Sequence, residues 1–314
     1  MPNIWAHIQF GREIASGAPW SSRMNDPAWR VAFQLGCQGP DFLFYDHFLP
    51  WQPSTAANRL GTLLHNVRCG PFLLDLFAEA RQRPLEDPAT AFVLGFLQHH
   101  ILDRHLHPYV FSRSGFKRWH HQRFETAMDA AILSLRAGIA TGTTPVAPEV
   151  DTDGKLPGDF AETFCRLAAR HYPGLADAIT PAALDGSIVQ FVRAQRLFYD
   201  PTGWKGRLLL GQIAPFSPPR RPPSWDVLNE RRDEWIDPTD RTVVRRDSAM
   251  ELWDRALEDG KRTTAAGYAW LRASEEGETS ETLRERFESL LGNISYETGL
   301  PCGSAWITYA RPVI

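Results

Sequence analysis

Residues 91–125, AFVLGFLQHHILDRHLHPYVFSRSGFKRWHHQRFE, hold six of the ten histidines in a chain of 314 residues. His99, Asp103 and His107 recur every fourth residue, and so do His121 and Glu125. On an α-helix, positions i and i+4 share a face with Cβ atoms roughly 5–6 Å apart. Two neighbouring helices carrying these ladders can therefore aim several ligand-type side chains at one point. The first ladder runs through apolar sequence (Val93, Leu94, Phe96, Leu97, Ile101, Leu102), so His99 and Asp103 face inward or occupy a narrow polar stripe. A buried carboxylate needs a partner. With several histidines beside it and no cysteine, that partner is zinc, with manganese or iron as substitutes. His105 competes with His107 for the end of the first ladder, and the four-residue spacing favours His107. His100 and His120 point about 100° away from their neighbours, towards contacts behind the ligands or on the surface. His47 and His171 stand alone and are expected to be solvated.

Further candidates lie upstream. His65 closes Gly61-Thr62-Leu63-Leu64-His65, a polar residue at an apolar position. Asp41 follows the Gly39-Pro40 turn and enters an aromatic loop. Phe42, Phe44, Tyr45, Phe48 and Trp51 of that loop suit either an apolar wall beside the metal or core packing. His7, in Trp5-Ala6-His7, has no local signature of its own.

The punctuation is helical. Asp26-Pro27 opens a helix that Gly36 closes, and Asp87-Pro88 repeats the signal at the start of the helix bearing His99. Pro108 is expected at or just beyond the end of that helix. Further helices are expected at Leu60–Arg68, Pro71–Gln82, Phe116–Arg136, Phe160–His171, Pro181–Phe198, Ser248–Asp259, Arg262–Ser274 and Ser280–Leu291. Residues 141–159 read as a polar loop and 214–225, APFSPPRRPPSW, as an extended connector. There is no internal repeat and no convincing alternation of strands. The expectation is an all-α chain, with residues 1–140 a metal-binding core and 141–314 a helical region packed as part of the same domain.

Composition narrows the partners. A net charge of −3 gives no electrostatic reason for a stable nucleic-acid complex. The four cysteines, Cys37, Cys69, Cys165 and Cys302, show no CxxC spacing, against a thiolate zinc site. The opening MPNIWAHIQFGREI lacks a basic and then apolar leader, and no apolar run reaches the roughly 20 residues of a membrane span. The expected location is the cytoplasm, and nothing in the sequence fixes an oligomeric state.

In order and spacing, His7, Asp41, His65, then Leu94-Gly95-(x3)-His99-(x3)-Asp103, then His121-(x3)-Glu125 resemble the zinc-dependent phospholipase C family, related to P1-type nucleases. The likeness covers Trp5 to about Ala130; the C-terminal half offers no motif that aligns. It implies a mainly helical fold with up to three zinc ions in a cleft. Asp41, His65, His99 and Asp103 would hold one ion, with Asp103 bridging to a third. His107, His121 and Glu125 would hold the second, and His7 would serve the third. It also implies hydrolysis of a phosphoester, a phospholipid for instance, by metal-bound hydroxide attacking phosphorus, with Asp41 as general base or water-orienting group. Secreted members place their histidine slightly farther beyond the bridging aspartate than His107. They also ligate the third zinc through a mature N-terminal tryptophan. Here Trp5 is internal, so unless the chain is trimmed the third site lacks two ligands, and the expectation is two or three ions. A nuclease or phosphatase on the same metal core, and a non-catalytic zinc-stabilised scaffold, are the alternatives. An HD-type phosphohydrolase fits poorly, because Asp46-His47 has the reverse order.

Overall fold

The computed structural model describes residues 3–219, 223–273 and 278–314. Among them the chain forms α1 (Ile4–Ser16), α2 (Pro27–Gly36), α3 (Ala56–Asn66), α4 (Cys69–Ala80), α5 (Pro88–Ser114), α6 (His120–Ala137), α7 (Ala147–Val150), α8 (Phe160–His171), α9 (Pro181–Phe198), α10 (Trp204–Leu208), α11 (Ala249–Arg272) and α12 (Glu278–Leu291). Two short strands, β1 (Trp235–Ile236) and β2 (Val244–Arg245), pair antiparallel. The fold is all-α.

Local chemistry sets many of the starts. The Asp26 carboxylate accepts the Ala28 N–H and Asp87 accepts that of Ala89, each with proline at the first helical position. Proline fits there because its missing N–H would have no helical partner anyway. Thr55 with Asn58 and Ser248 with Glu251 form reciprocal capping boxes. α1 has no such signature: Asn3 caps it without a side-chain hydrogen bond, and burial of Ile4, Trp5, Ile8, Phe10 and Ile14 holds it in place.

Helix α5 is the axis of the molecule. Its 27 residues span about 40 Å, and nearly every residue from Ala89 to Asp103 is buried all round. It crosses α2 at a point where both chains carry glycine. A Cβ on Gly36 would stand 2.1 Å from the Phe92 carbonyl oxygen, and one on Gly95 would stand 2.1 Å from that of Phe33. Only glycine lets the two backbones approach this closely. Helix α11 meets α1 through side chains instead, with Gly260 facing Phe10 and Ile14.

Several boundaries differ from the expected ones. Pro108 lies inside α5, which continues to Ser114. Proline at 108 leaves the Arg104 carbonyl without its helical donor, and Gly299, at φ +66°, packs its backbone directly over that oxygen. Burial of Tyr109 and Val110 supports the helix beyond the proline. The two helices expected between 248 and 274 are one helix, α11; Ser274 itself lies outside the described residues, as do Arg220, Arg221 and Pro222 of the connector. Helix α6 begins at His120, because Trp119 takes a left-handed conformation at φ 65°. The polar loop 141–159 contains the single turn α7 and a 3-10 turn at Pro157–Asp159.

The chain beyond α12 returns to the axis. Residues 293–302 form a loop closed by a bridge between Ile294 and Pro301. The final residues run along the end of α5, where the Arg311 and Val313 N–H groups donate to the Ser112 and Arg113 carbonyls.

Candidate metal centre

Four elements converge on Asp103. Helix α5 supplies His99, Asp103 and His107 from one face; α1 supplies His7, a 3-10 turn (Asp41–Tyr45) supplies Asp41, and α3 supplies His65. The Asp103 side chain is fully buried, and four imidazole Nε2 atoms surround it: His99 at 2.9 Å, His7 at 3.3 Å, His107 at 3.8 Å and His65 at 3.9 Å. Asp41 Oδ1 stands 3.3 Å from His65 Nε2 and 3.7 Å from His99 Nε2. The His7 and His99 rings stack with centroids 4.2 Å apart. On the other side of His107, α6 brings His121 and Glu125, whose Nε2 and Oε1 atoms are 2.6 Å apart.

Three groups, the first two sharing His99, have ligand atoms within 4.8 Å of one another: His7, Asp41 and His99; His65, His99 and Asp103; His107, His121 and Glu125. His105 is elsewhere, its Nε2 2.9 Å from Asp259 beside Arg104. His107→Gln should therefore cost bound metal while His105→Gln leaves it unchanged, as measured by elemental analysis of the two purified variants.

Three histidines are oriented from behind. Nδ1 of His65 lies 2.7 Å from the Gly61 carbonyl, that of His99 3.1 Å from Cys37, and that of His107 2.9 Å from Tyr296. A carbonyl can only accept, so each Nδ1 carries the proton and each Nε2 presents a lone pair to the cluster. Gly39, at φ +51°, backs His99 so tightly that a Cβ there would meet its ring at 2.2 Å. Burial disfavours the charged form of His7, His107 and His121. It lowers His7 to about 4, with the neighbouring His99 adding to the effect, and puts His107 and His121 well below the usual histidine range. Burial would also lower His65, but Asp41 outweighs it and raises the group. Burial alone would raise Asp103, yet the surrounding histidines hold it well below the usual carboxylate range.

A family model for zinc dependent phospholipase C matches residues 6–172. The chain belongs to that family. No curated protein and no solved structure matches the chain. All eight side chains of the cluster lie inside the stretch that matches this phospholipase C family, from His7 to Glu125.

The donor set fits a cation. Among the described residues, Nε2 of His99 and His107, both Asp103 oxygens and Asp41 Oδ1 are buried without a hydrogen-bond donor. Acceptor lone pairs facing one another in a dry interior are repulsive and costly. A divalent ion with nitrogen and oxygen preference removes that cost, and zinc takes this combination of ligands.

Other residues hold the site together without a signature in the sequence. His100 is buried, its Nε2 3.0 Å from the Ile294 carbonyl and its ring 4.4 Å from that of Tyr296. The Tyr296 N–H donates to the His65 carbonyl, while its own carbonyl receives His107. Residues 293–302 lie beyond the family match yet brace two of the cluster histidines. His171, expected in solvent, is buried between Asp75 (2.9 Å) and Arg68 (3.1 Å). His47 is exposed, and His120 is only partly covered. Of the aromatic loop, Phe42 turns into the core, whereas the Phe44 ring packs 5.3 Å from His65.

Asp129, one turn beyond Glu125, accepts the Ala6 N–H at the start of α1 and is fully buried. Burial pushes its carboxyl up to about 8. The folded chain thus retains a proton that the unfolded chain has released, so this contribution is complete below about pH 4 and is lost as pH rises to 8. In metal-free protein, Asp129→Asn should weaken the fall in melting temperature between pH 5.5 and 8, because an amide keeps the Ala6 contact without titrating. An unchanged pH profile would remove Asp129 as its source.

Proposed function

We propose that the chain is a zinc-dependent phosphodiester hydrolase acting on a phospholipid, with two or three zinc ions held by His7, Asp41, His65, His99, Asp103, His107, His121 and Glu125. The observation that carries this reading is the ring of four Nε2 atoms around a buried Asp103 whose carboxyl is held well below the usual range. Asp103 joins the two halves of the site, since His99 and His107 flank it on one helix face. When bound, divalent ions a few ångströms apart hold a phosphate diester, acidify water and stabilise the leaving oxygen. Zinc is favoured by the imidazole-rich set, and manganese or iron(II) would occupy the same donors.

The chain's own residues supply orientation. Asp41 is the less buried of the two clustered aspartates, with about a tenth of its side chain exposed. It is the carboxylate placed to align an attacking water and accept its proton. A row of rings leads away from the Asp41 turn. Tyr45 and Phe48 are 6.4 Å apart, Phe48 and Phe198 6.1 Å, Phe198 and Phe216 4.8 Å, and Phe216 and Trp119 5.1 Å. Such a row suits the apolar body of a glycerolipid. The same row could stack a nucleobase, so the assay includes one.

Purified protein should carry at least two zinc ions per chain. It should cleave phosphatidylcholine faster than single-stranded nucleic acid or a nitrophenyl phosphodiester, and chelation should abolish the activity. Preference for nucleic acid would make it a nuclease. Stoichiometric zinc with no activity on any of the three would make it a metal-stabilised scaffold.

A further inference from the structure

The Sγ atoms of Cys69 and Cys302 lie 3.4 Å apart, although 233 residues separate them in sequence. Cys69 is buried at the first position of α4, and Cys302 is partly exposed at the end of the 293–302 loop. The backbone around the pair is pinned on both sides. The Cys302 N–H donates to the Asn293 carbonyl, and the Asn293 side chain accepts the Gly70 N–H. Gly70 lets the loop seat on α4, since a Cβ there would stand 2.0 Å from the Gly292 carbonyl oxygen. The same loop carries Tyr296, which contacts His65 and His107, and Ile294, which contacts His100.

We propose that Cys69 and Cys302 form a reversible disulfide that staples the 293–302 loop to the start of α4 and so fixes the support of the metal-site histidines. The two sulfurs need only close from van der Waals contact to the ~2 Å of a disulfide. They are also chemically unequal. The Cys302 thiol is brought down to about 7 by the Cys69 thiol against it and, more weakly, by N–H groups of Cys69 and Arg68, with burial opposing. Burial instead raises Cys69 well above the ordinary thiol range. Cys302 is therefore the entry point and Cys69 the resolving thiol.

With a small disulfide such as oxidised glutathione as oxidant, the Cys302 thiolate attacks one sulfur and expels one glutathione thiolate. Cys69 then loses its proton and attacks the Cys302 sulfur, expelling the second glutathione. The protein's two thiols are oxidised to one disulfide, and the glutathione disulfide is reduced to two thiols.

The test uses the full chain in a Cys165→Ser background, which removes the other partly exposed cysteine. Incubation with oxidised glutathione should reduce the titratable thiols from three to one, and dithiothreitol should restore them. Proteolysis without reductant should yield one cross-linked peptide pair containing Cys69 and Cys302. The melting temperature should rise by about 5 °C, and amide exchange across 294–302 should slow at least tenfold. Adding Cys302→Ser should leave both remaining thiols titratable and abolish both changes. Persistence of all three thiols, a stable glutathione adduct at Cys302 without cross-linking, or a cross-link with unchanged melting and exchange would each overturn the proposal. None of these readouts uses metal or substrate, so they stand apart from the proposed hydrolase activity.

Discussion

Asp103→Asn is expected to strip zinc from the chain and to lower phosphodiester hydrolysis on the order of a thousandfold, about 4 kcal/mol of transition-state stabilisation. The substitution keeps the shape of the side chain and removes its charge. Four Nε2 atoms stand within 4 Å of this carboxylate, and its own oxygens have no hydrogen-bond donor among the described residues. An amide in its place offers one neutral oxygen and an NH₂ group that competes with the metal for the same lone pairs. Zinc content, hydrolysis rate and melting temperature should be measured on one preparation. A variant that folds but binds little zinc supports the assignment; full zinc occupancy with an undiminished rate would refute it. Asp103→Glu is the informative companion, because it restores charge with the wrong reach. It should recover metal ahead of activity.

What the sequence revealed of this site follows the range of each interaction. The ladders at 99, 103 and 107 and at 121 and 125 were legible because helix geometry is local: four residues apart means one face, whatever surrounds it. The all-α class and the caps at Asp26 and Asp87 were legible for the same reason. His7, Asp41 and His65 were different. Their neighbourhoods mark them weakly, His65 as a polar residue at an apolar position and Asp41 by its turn, and the family resemblance assigned them to the cluster. The carbonyls of Cys37, Gly61 and Tyr296 that orient the imidazoles belong to the backbone, which every residue has, so no residue type could announce them. Nor could Pro108 declare that its helix continues, since the residues packed around it, Gly299 among them, come from nearly two hundred residues away. His171 misled for a related reason: the groups that satisfy it, Asp75 and Arg68, lie on a helix and its cap roughly a hundred residues upstream.

The largest structural prediction concerns a residue that touches no ligand. Gly95→Ala should destabilise the fold by roughly 3 kcal/mol, although alanine is the better helix former by about 1 kcal/mol. The added Cβ would stand 2.1 Å from the Phe33 carbonyl oxygen and 2.7 Å from the Cys37 backbone nitrogen. Neither is a flexible side chain that can swing aside, so α2 must move away from α5. That motion carries the Cys37 carbonyl with it, and the Cys37 carbonyl fixes His99 Nδ1. Loss of stability and loss of metal affinity should therefore appear together, whereas an ordinary core cavity would produce only the first. Urea unfolding of the metal-free variant measures the stability term, and competition with a zinc chelator measures the affinity term. The coupling predicts a lower unfolding midpoint and zinc binding weakened at least tenfold, on the scale seen when the partner behind a metal-ligating histidine is lost. Unchanged affinity in a destabilised variant would show that His99 is held independently of the helix crossing.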